Sequence, residues 1–306
     1  MAGGYTHVTL ADRAHLRLEQ VEGLDGDDLL AVGTLPSTCI LGAVGPDYPY
    51  LAVAALGLKQ GVWADRMHYE NTAEPIRHAV RWLRDNRAAP HRPYALSWLF
   101  GYASHVATDL TIHPVVMRKV GPYQGNEVAH RTCEMNQDVH IWKSRRLGDI
   151  SEAEYFSALY DQNTVDGKLH PAISQLWTSM LAHAYPAAPR DADLQSWHSG
   201  FHRAISLVGN LPVFARHLLA GKGQAYPVTV DPQYVENLDT PAGRMHFDKV
   251  CDRAVENIVW MWNRIGRAMA ASTPAGAEQE LAVVPAANLD TGLYLDQPGR
   301  LAMWRQ

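Results

Sequence analysis

Cysteine is scarce in this sequence. Cys39, Cys133 and Cys251 are an odd number at wide, unpatterned spacing, which argues against a disulfide framework and fits a reducing compartment. Long apolar runs are missing too. Residues 93–108, the longest stretch of that kind, fall short of the roughly 20 residues of a membrane span and are interrupted by Ser97, Ser104 and His105. The opening Met1-Ala-Gly-Gly-Tyr-Thr-His-Val has no basic region followed by an apolar core, so it is no standard secretory signal. The expected location is therefore cytoplasmic, unless the chain leaves by a non-standard export route. Nor is there an excess of positive charge. At a formal net charge of -5, no overall basic field draws the chain to nucleic acid or anionic membranes. Repeats, low-complexity tracts and a clear linker are absent, and 306 residues at 47% hydrophobic content suffice for a sizeable core.

Histidine is plentiful, with fifteen in all. The chain is organised around His105-Val-Ala-Thr-Asp109-Leu-Thr-Ile-His113-Pro114. In a helix, side chains at i, i+4 and i+8 follow one another along one face, so His105, Asp109 and His113 form one stripe of ligand types. His130 and Glu134 form a second. Imidazole with carboxylate, and no thiolate at matching spacing, is the donor mix of catalytic zinc or a similar divalent ion. Residues 93–108 carry no Asp, Glu, Lys or Arg, and Leu96, Leu99 and Phe100 alternate with small residues, so this helix is expected to be buried. An unpaired carboxylate at Asp109 would then cost several kcal/mol, and a metal or cation is expected beside it.

Taken in order, residues 7–20 read as a first helix with His7 at its entrance. Gly42, Gly45, Pro46 and Pro49 rule out a regular helix and hold Asp47 on a stiff loop between aromatic neighbours. His68 lies in the approach to a helix opened by Thr72 and Pro75 and carrying Ile76, Val80 and Leu83. Pro114 disfavours helical geometry at His113, so the central helix is expected to end there and bend away, letting His113 face a different metal from His105. After a loop over Gly121 to Asn126, a helix carries His130, Glu134 and Asp138.

Beyond residue 150 no ligand-like spacing stands out. Leu194, Trp197, Phe201, Ile205 and Val208, and then Phe247, Cys251, Val255, Ile258, Trp262 and Ile265, mark two amphipathic core helices. Their histidines, His198, His202 and His246, are read as structural. Residues 221–244 form a long irregular connection suited to border a cleft. From Ser272 the chain is rich in Ala, Pro and Gly, so residues 1–272 are read as the helical domain and 273–306 as a surface-wrapping extension.

Together, His7, Pro46-Asp47, His68, the His105–Asp109–His113 stripe and the His130–Glu134 pair resemble the zinc-dependent phospholipase C family, over about residues 2–140. That family shares a superfamily with single-strand-specific zinc nucleases. The resemblance implies an all-α fold, a single helical domain with a trinuclear metal cleft and three zinc ions. Asp47, His68, His105 and Asp109 would hold one zinc. Asp109 would bridge to a second, held by His7 and by an N-terminal residue five positions earlier, here Ala2 once Met1 is removed. His113, His130 and Glu134 would hold the third. Two zincs sharing a carboxylate bring a water's pKa towards neutrality while all three neutralise a phosphate, and Asp47 would orient or deprotonate that water.

The implied activity is hydrolysis of a glycerophospholipid to diacylglycerol and a phosphorylated head group, with transient contact at a membrane surface. Tyr48, Tyr50, Trp63, Tyr69 and Tyr123 would line the cleft or cradle a choline-like cation. Protonation of His68, His105 or His113 competes with metal, so activity should fall below about pH 6. The alternatives are a nuclease or nucleotidase on the same metals and a non-catalytic metal-bearing binding module. Against the first, Gln124-Gly125-Asn126 replaces the Gly-Gly-Asn of the related nucleases, and the acidic balance offers no track for a nucleic-acid strand. Against the second stands Asp47 beside a full ligand set.

Overall fold

The central helix dictates the rest of the fold. In the computed structural model, which describes residues 3–50, 61–144, 154–188, 191–209 and 226–304, it runs Arg92–Val120 and every residue from Ala95 to Val116 is buried. A helix without charge over most of its length can only be stable surrounded on all sides. Among the described residues its surroundings are α1 (Gly4–His15), α2 (Gly26–Thr34), α3 (Pro36–Gly42), α4 (Gly61–Tyr69) and α5 (Glu74–Asp85) before it. The central helix is α6, and α7 (Glu127–Ser144), α8 (Glu154–Gln162), α9 (Pro171–Ala184), α10 (Leu194–Gly209), α11 (Phe247–Ala270) and α12 (Pro274–Ala282) follow. Two short antiparallel hairpins, Thr164–Val165 with Lys168–Leu169 and Leu238–Thr240 with Gly243–Met245, complete a mostly helical architecture. No described helix is long and apolar enough to cross a membrane, and the three cysteines are free and buried.

The expected amphipathic helices at 194–208 and 247–265 are present as α10 and α11. Phe247, Val250, Ala254, Ile258, Trp262 and Ile265 of α11 are fully buried against α6, where the Trp262 indole donates to the Phe100 carbonyl at 2.8 Å. Part of the connection expected over residues 221–244 lies outside the described residues.

One expectation is overturned: α6 does not stop at His113. It passes through Pro114 and ends at Gly121, whose φ of 89° suits glycine. An interior proline loses a backbone hydrogen bond and crowds the carbonyl four residues back, at about 3 kcal/mol. Val115 and Val116, both at 0% exposure, offset that cost by burial. Gly292 packs against the proline ring, where a Cβ would come within 2.5 Å of Pro114 Cγ. His113 therefore stays on the same helical face as Asp109.

A second close approach aims the site. Where α3 crosses α6, a Cβ on Gly101 would lie 1.7 Å from the Cys39 carbonyl oxygen, and one on Gly42 would lie 2.2 Å from the Trp98 carbonyl oxygen. The two backbones touch through these glycines. Gly101→Ala has only backbone to push against, so it should cost about 3 kcal/mol or more, the upper range for overpacking. A denaturant melt superimposable on that of the parent would refute this.

Helix α1 has no side-chain cap of its own. Asp138 of α7 serves instead, accepting from Thr6 N at 2.7 Å, Thr6 Oγ1 at 2.6 Å and Tyr5 N at 3.3 Å, with the Tyr226 hydroxyl at 3.1 Å. A carboxylate at a helix N-terminus satisfies orphan donors and complements the helix dipole. Burial nonetheless pushes Asp138 up to about 7. The bond fixes how α1 is rotated and so where His7 points.

After α12 the chain returns to the core. Val284, Ala287, Leu289, Ala302, Met303 and Trp304 are buried, and the Trp304 indole donates to the Thr111 carbonyl at 2.9 Å.

Candidate metal centre

The side chains of the His-Asp stripe meet partners from three other elements. Asp47 ends the 3-10 turn Gly45–Asp47, His68 sits in the last turn of α4, and His7 stands one turn into α1. Asp109 lies at their centre. Its Oδ1 is 3.2 Å from His7 Nε2 and 3.3 Å from His113 Nε2, and its Oδ2 is 3.1 Å from His105 Nε2 and 3.6 Å from His68 Nε2. Asp47 Oδ1 faces His68 Nε2 at 3.3 Å and His105 Nε2 at 3.9 Å. The rings of His7 and His105 stack at 4.0 Å.

Two groups result, His7 with His105 and Asp109, and Asp47 with His68 and His105. In each, the candidate ligand atoms lie within 4.8 Å of one another. His7, His68, His105 and Asp109 are at 0% exposure and Asp47 at 4%.

The ring nitrogens facing away are tied down. His68 Nδ1 bonds the Ala64 carbonyl at 2.7 Å, His105 Nδ1 the Ala43 carbonyl at 2.9 Å and His130 Nε2 the Gly121 carbonyl at 2.7 Å. A carbonyl only accepts, so these nitrogens carry a proton and the opposite ones are the atoms turned to the centre. The bond from His105 depends on the glycine-mediated crossing, which carries Ala43, the residue just after α3, to α6.

Other atoms have no such bond. Both ring nitrogens of His7, Asp47 Oδ1 and His113 Nε2 are buried without a hydrogen bond, a costly state for polar groups. Divalent cations at the centre would satisfy His7 Nε2, Asp47 Oδ1 and His113 Nε2, and a donor set of imidazole nitrogen and carboxylate oxygen suits zinc.

Electrostatics prepare the same outcome. Burial opposes ionisation of Asp109, yet the imidazoles of His113, His105 and His7 hold it well below the usual carboxylate range. His105 and His68 likewise hold Asp47 low against its burial. Burial and the neighbouring His7 lower His105, which keeps it neutral. His68 runs the other way: burial would lower it, but Asp47 and then Asp109 raise it. His68 thus retains proton above the ordinary histidine range, and an ion entering must displace it. Zinc titrated at neutral pH should release protons, with affinity weakening as pH falls through the raised value. Calorimetry in two buffers of different ionisation enthalpy reads this directly, and a buffer-independent heat would contradict it.

The third expected set is only partly gathered. His130 Nδ1 and Glu134 Oε1 are 3.9 Å apart, and Glu134 is held low despite its burial, with the imidazoles of His130 and His113 contributing. His113 turns Nε2 to Asp109, because α6 continues past it, and does not join them in a tight group. Ala2 lies outside the described residues.

Two of the aromatic expectations are corrected. Tyr48 is 1% exposed and stacks on Phe201 at 4.7 Å, and Trp63 is 3% exposed and packs against Tyr185 and Trp197. Both fill the core, where neighbouring aromatics make the larger contact. Tyr50, Tyr69 and Tyr123 do flank the centre, with the first two rings 5.7 and 6.2 Å from the ring of His68 and Tyr123 5.2 Å from that of His130.

Asp290 was not foreseen. Its Oδ1 lies 3.5 Å from His113 Nδ1 and its Oδ2 accepts from the Tyr69 hydroxyl at 2.8 Å. Although burial opposes it, His113 draws its ionisation well down. A single acidic residue in a loop leaves no periodic trace, so only the fold brings it into view.

A separate grouping, His140, His246 and Asp248, is partly exposed and internally satisfied. His140 Nε2 meets Asp248 Oδ1 at 2.7 Å, and His246 Nδ1 caps α11 by accepting from Asp248 N. It needs no ion to explain it.

Against known protein families, residues 6–187 match the family described as zinc dependent phospholipase C. No curated protein and no solved structure gives a match.

Proposed function

The chain belongs to the zinc-dependent phospholipase C family, and on that premise we propose that it hydrolyses the phosphodiester of a glycerophospholipid, releasing diacylglycerol and a phosphorylated head group. The observation that carries this reading is the buried meeting of Asp47, His68, His105 and Asp109, with imidazole nitrogens and carboxylate oxygens converging and Asp47 Oδ1 buried without a hydrogen bond. These four would hold one zinc, Asp109 and His7 a second, and His113, His130 and Glu134 a third. Zinc bound there would polarise the phosphate ester and acidify water.

The chain's own groups supply the rest. Asp47 stays ionised at neutral pH, so its Oδ1 is suited to take the proton of the attacking water. His105, held neutral, contributes a lone pair without first losing a proton. Tyr50 and Tyr123 offer ring faces at the rim for a choline-like cation. No described helix spans a membrane, and lipid would be met at its surface.

The test is elemental analysis of the purified protein with assays on a chromogenic phosphocholine ester, phosphatidylcholine vesicles and single-stranded DNA, each with and without chelator. More than one zinc per chain and chelator-sensitive release of phosphocholine are expected. Cleavage of DNA alone would replace this reading with a nuclease, and a chain that takes up no zinc would end it.

A further inference from the structure

Three histidines of the centre share a device from which His113 departs. His68, His105 and His130 each bond a backbone carbonyl through one ring nitrogen and face a carboxylate with the other. His113 faces carboxylates on both sides, with Nε2 3.3 Å from Asp109 and Nδ1 3.5 Å from Asp290. Pro114 is its chain neighbour and Gly292 packs on that proline, so the segment carrying Asp290 lies directly against the turn that carries His113.

Asp290 is also anchored independently of His113. The Tyr69 hydroxyl holds its Oδ2 at 2.8 Å. Asn288 Oδ1 accepts from the backbone N–H groups of Asp290 and Thr291, both at 3.0 Å. Leu289 N donates to the His68 carbonyl at 2.9 Å, and Thr72 Oγ1 both donates to the Ala287 carbonyl and accepts from Ala287 N. The segment is thus hydrogen-bonded to the end of α4, next to one histidine of the centre, while its carboxylate reaches another. A side chain 16% exposed, in a loop pinned on both sides, is built to stay where it is.

Resting on the zinc reading above, we propose that Asp290 is a positioning residue of the metal centre: it accepts a hydrogen bond from His113 Nδ1 and so turns the Nε2 lone pair towards Asp109 and the ion. Carboxylate, histidine and metal in series fix both the tautomer and the orientation of the ring, and loss of such an outer carboxylate typically weakens metal binding about 10–100-fold. The carboxylate comes from outside residues 6–187, the part that matches the family.

Asp290→Asn separates this role from a merely structural one. The variant keeps the size of the side chain, but an amide oxygen accepting from Tyr69 leaves its NH2 facing His113, which forces the opposite tautomer. In the zinc-free protein, nitrogen-15 NMR should show His113 Nδ1 carrying a proton in the parent and free of one in the variant. Competition with a chromophoric chelator should show one zinc bound about 10–100-fold more weakly. An unchanged tautomer, or unchanged zinc affinity, would overturn the proposal. So would a variant that fails to fold without metal, since Asp290 would then be holding the fold. A parent chain that binds no zinc would overturn the functional reading instead, leaving the NMR comparison to judge Asp290.

Discussion

If the chain acts as proposed, Asp109→Asn should lower phosphodiester hydrolysis by about a thousandfold or more, because the centre's shared carboxylate would supply several kcal/mol of transition-state stabilisation through the ions it would hold and each 1.36 kcal/mol is tenfold in rate. The geometry explains why this residue exceeds its neighbours. Four histidines approach its two oxygens from three helices, α1, α4 and α6, at 3.1 to 3.6 Å. An amide retains the shape but offers one weak acceptor and a donor that opposes any cation. Loss of zinc should accompany loss of rate. A variant that keeps the parent's zinc content and turnover would show that the ions, if bound, do not depend on this oxygen pair.

The second large effect concerns stability. Without an ion the chain buries His7, Asp47 Oδ1 and His113 Nε2 with polar capacity unused, and that deficit disappears when the ion binds. Zinc at a thousand times its dissociation constant should stabilise the folded chain by about 4 kcal/mol. Thermal melts with zinc and with chelator measure the difference. The chelated protein should remain helical, because α6 is clamped by α3 and α11 through backbone and apolar packing that uses no ion. Identical melting with and without zinc would mean the buried lone pairs meet nothing.

How much of this was legible beforehand depends on how local the cause is. The His105–Asp109–His113 stripe and the burial of its helix follow from spacing and from missing charge over residues 93–108, and both are present. His68 and Asp47 were legible as residue types but not in their placement. What brings them to the stripe is a backbone contact through Gly42 and Gly101, and the sequence shows two glycines there without showing that they face one another. Pro114 misled because the local cost of an interior proline is real, but burial of the next turn outweighs it. Tyr48 and Trp63 misled because nearness along the chain to Asp47 and His68 says nothing about which way a ring turns. Asp290 lay beyond any pattern, reaching the centre from a loop far along the chain.

The packing of Gly292 on Pro114 also bears on the order in which the protein is made. His7 emerges early and residues 284–304 emerge last among those that touch the centre, so a growing chain holds its histidine stripe long before Asp290 can reach it. Until then His113 has no outer carboxylate, and Tyr69 and the His68 carbonyl lack their partners from that segment. If zinc is taken up in the proposed way, full loading waits until the segment that carries Asp290 has been made and has folded against Pro114.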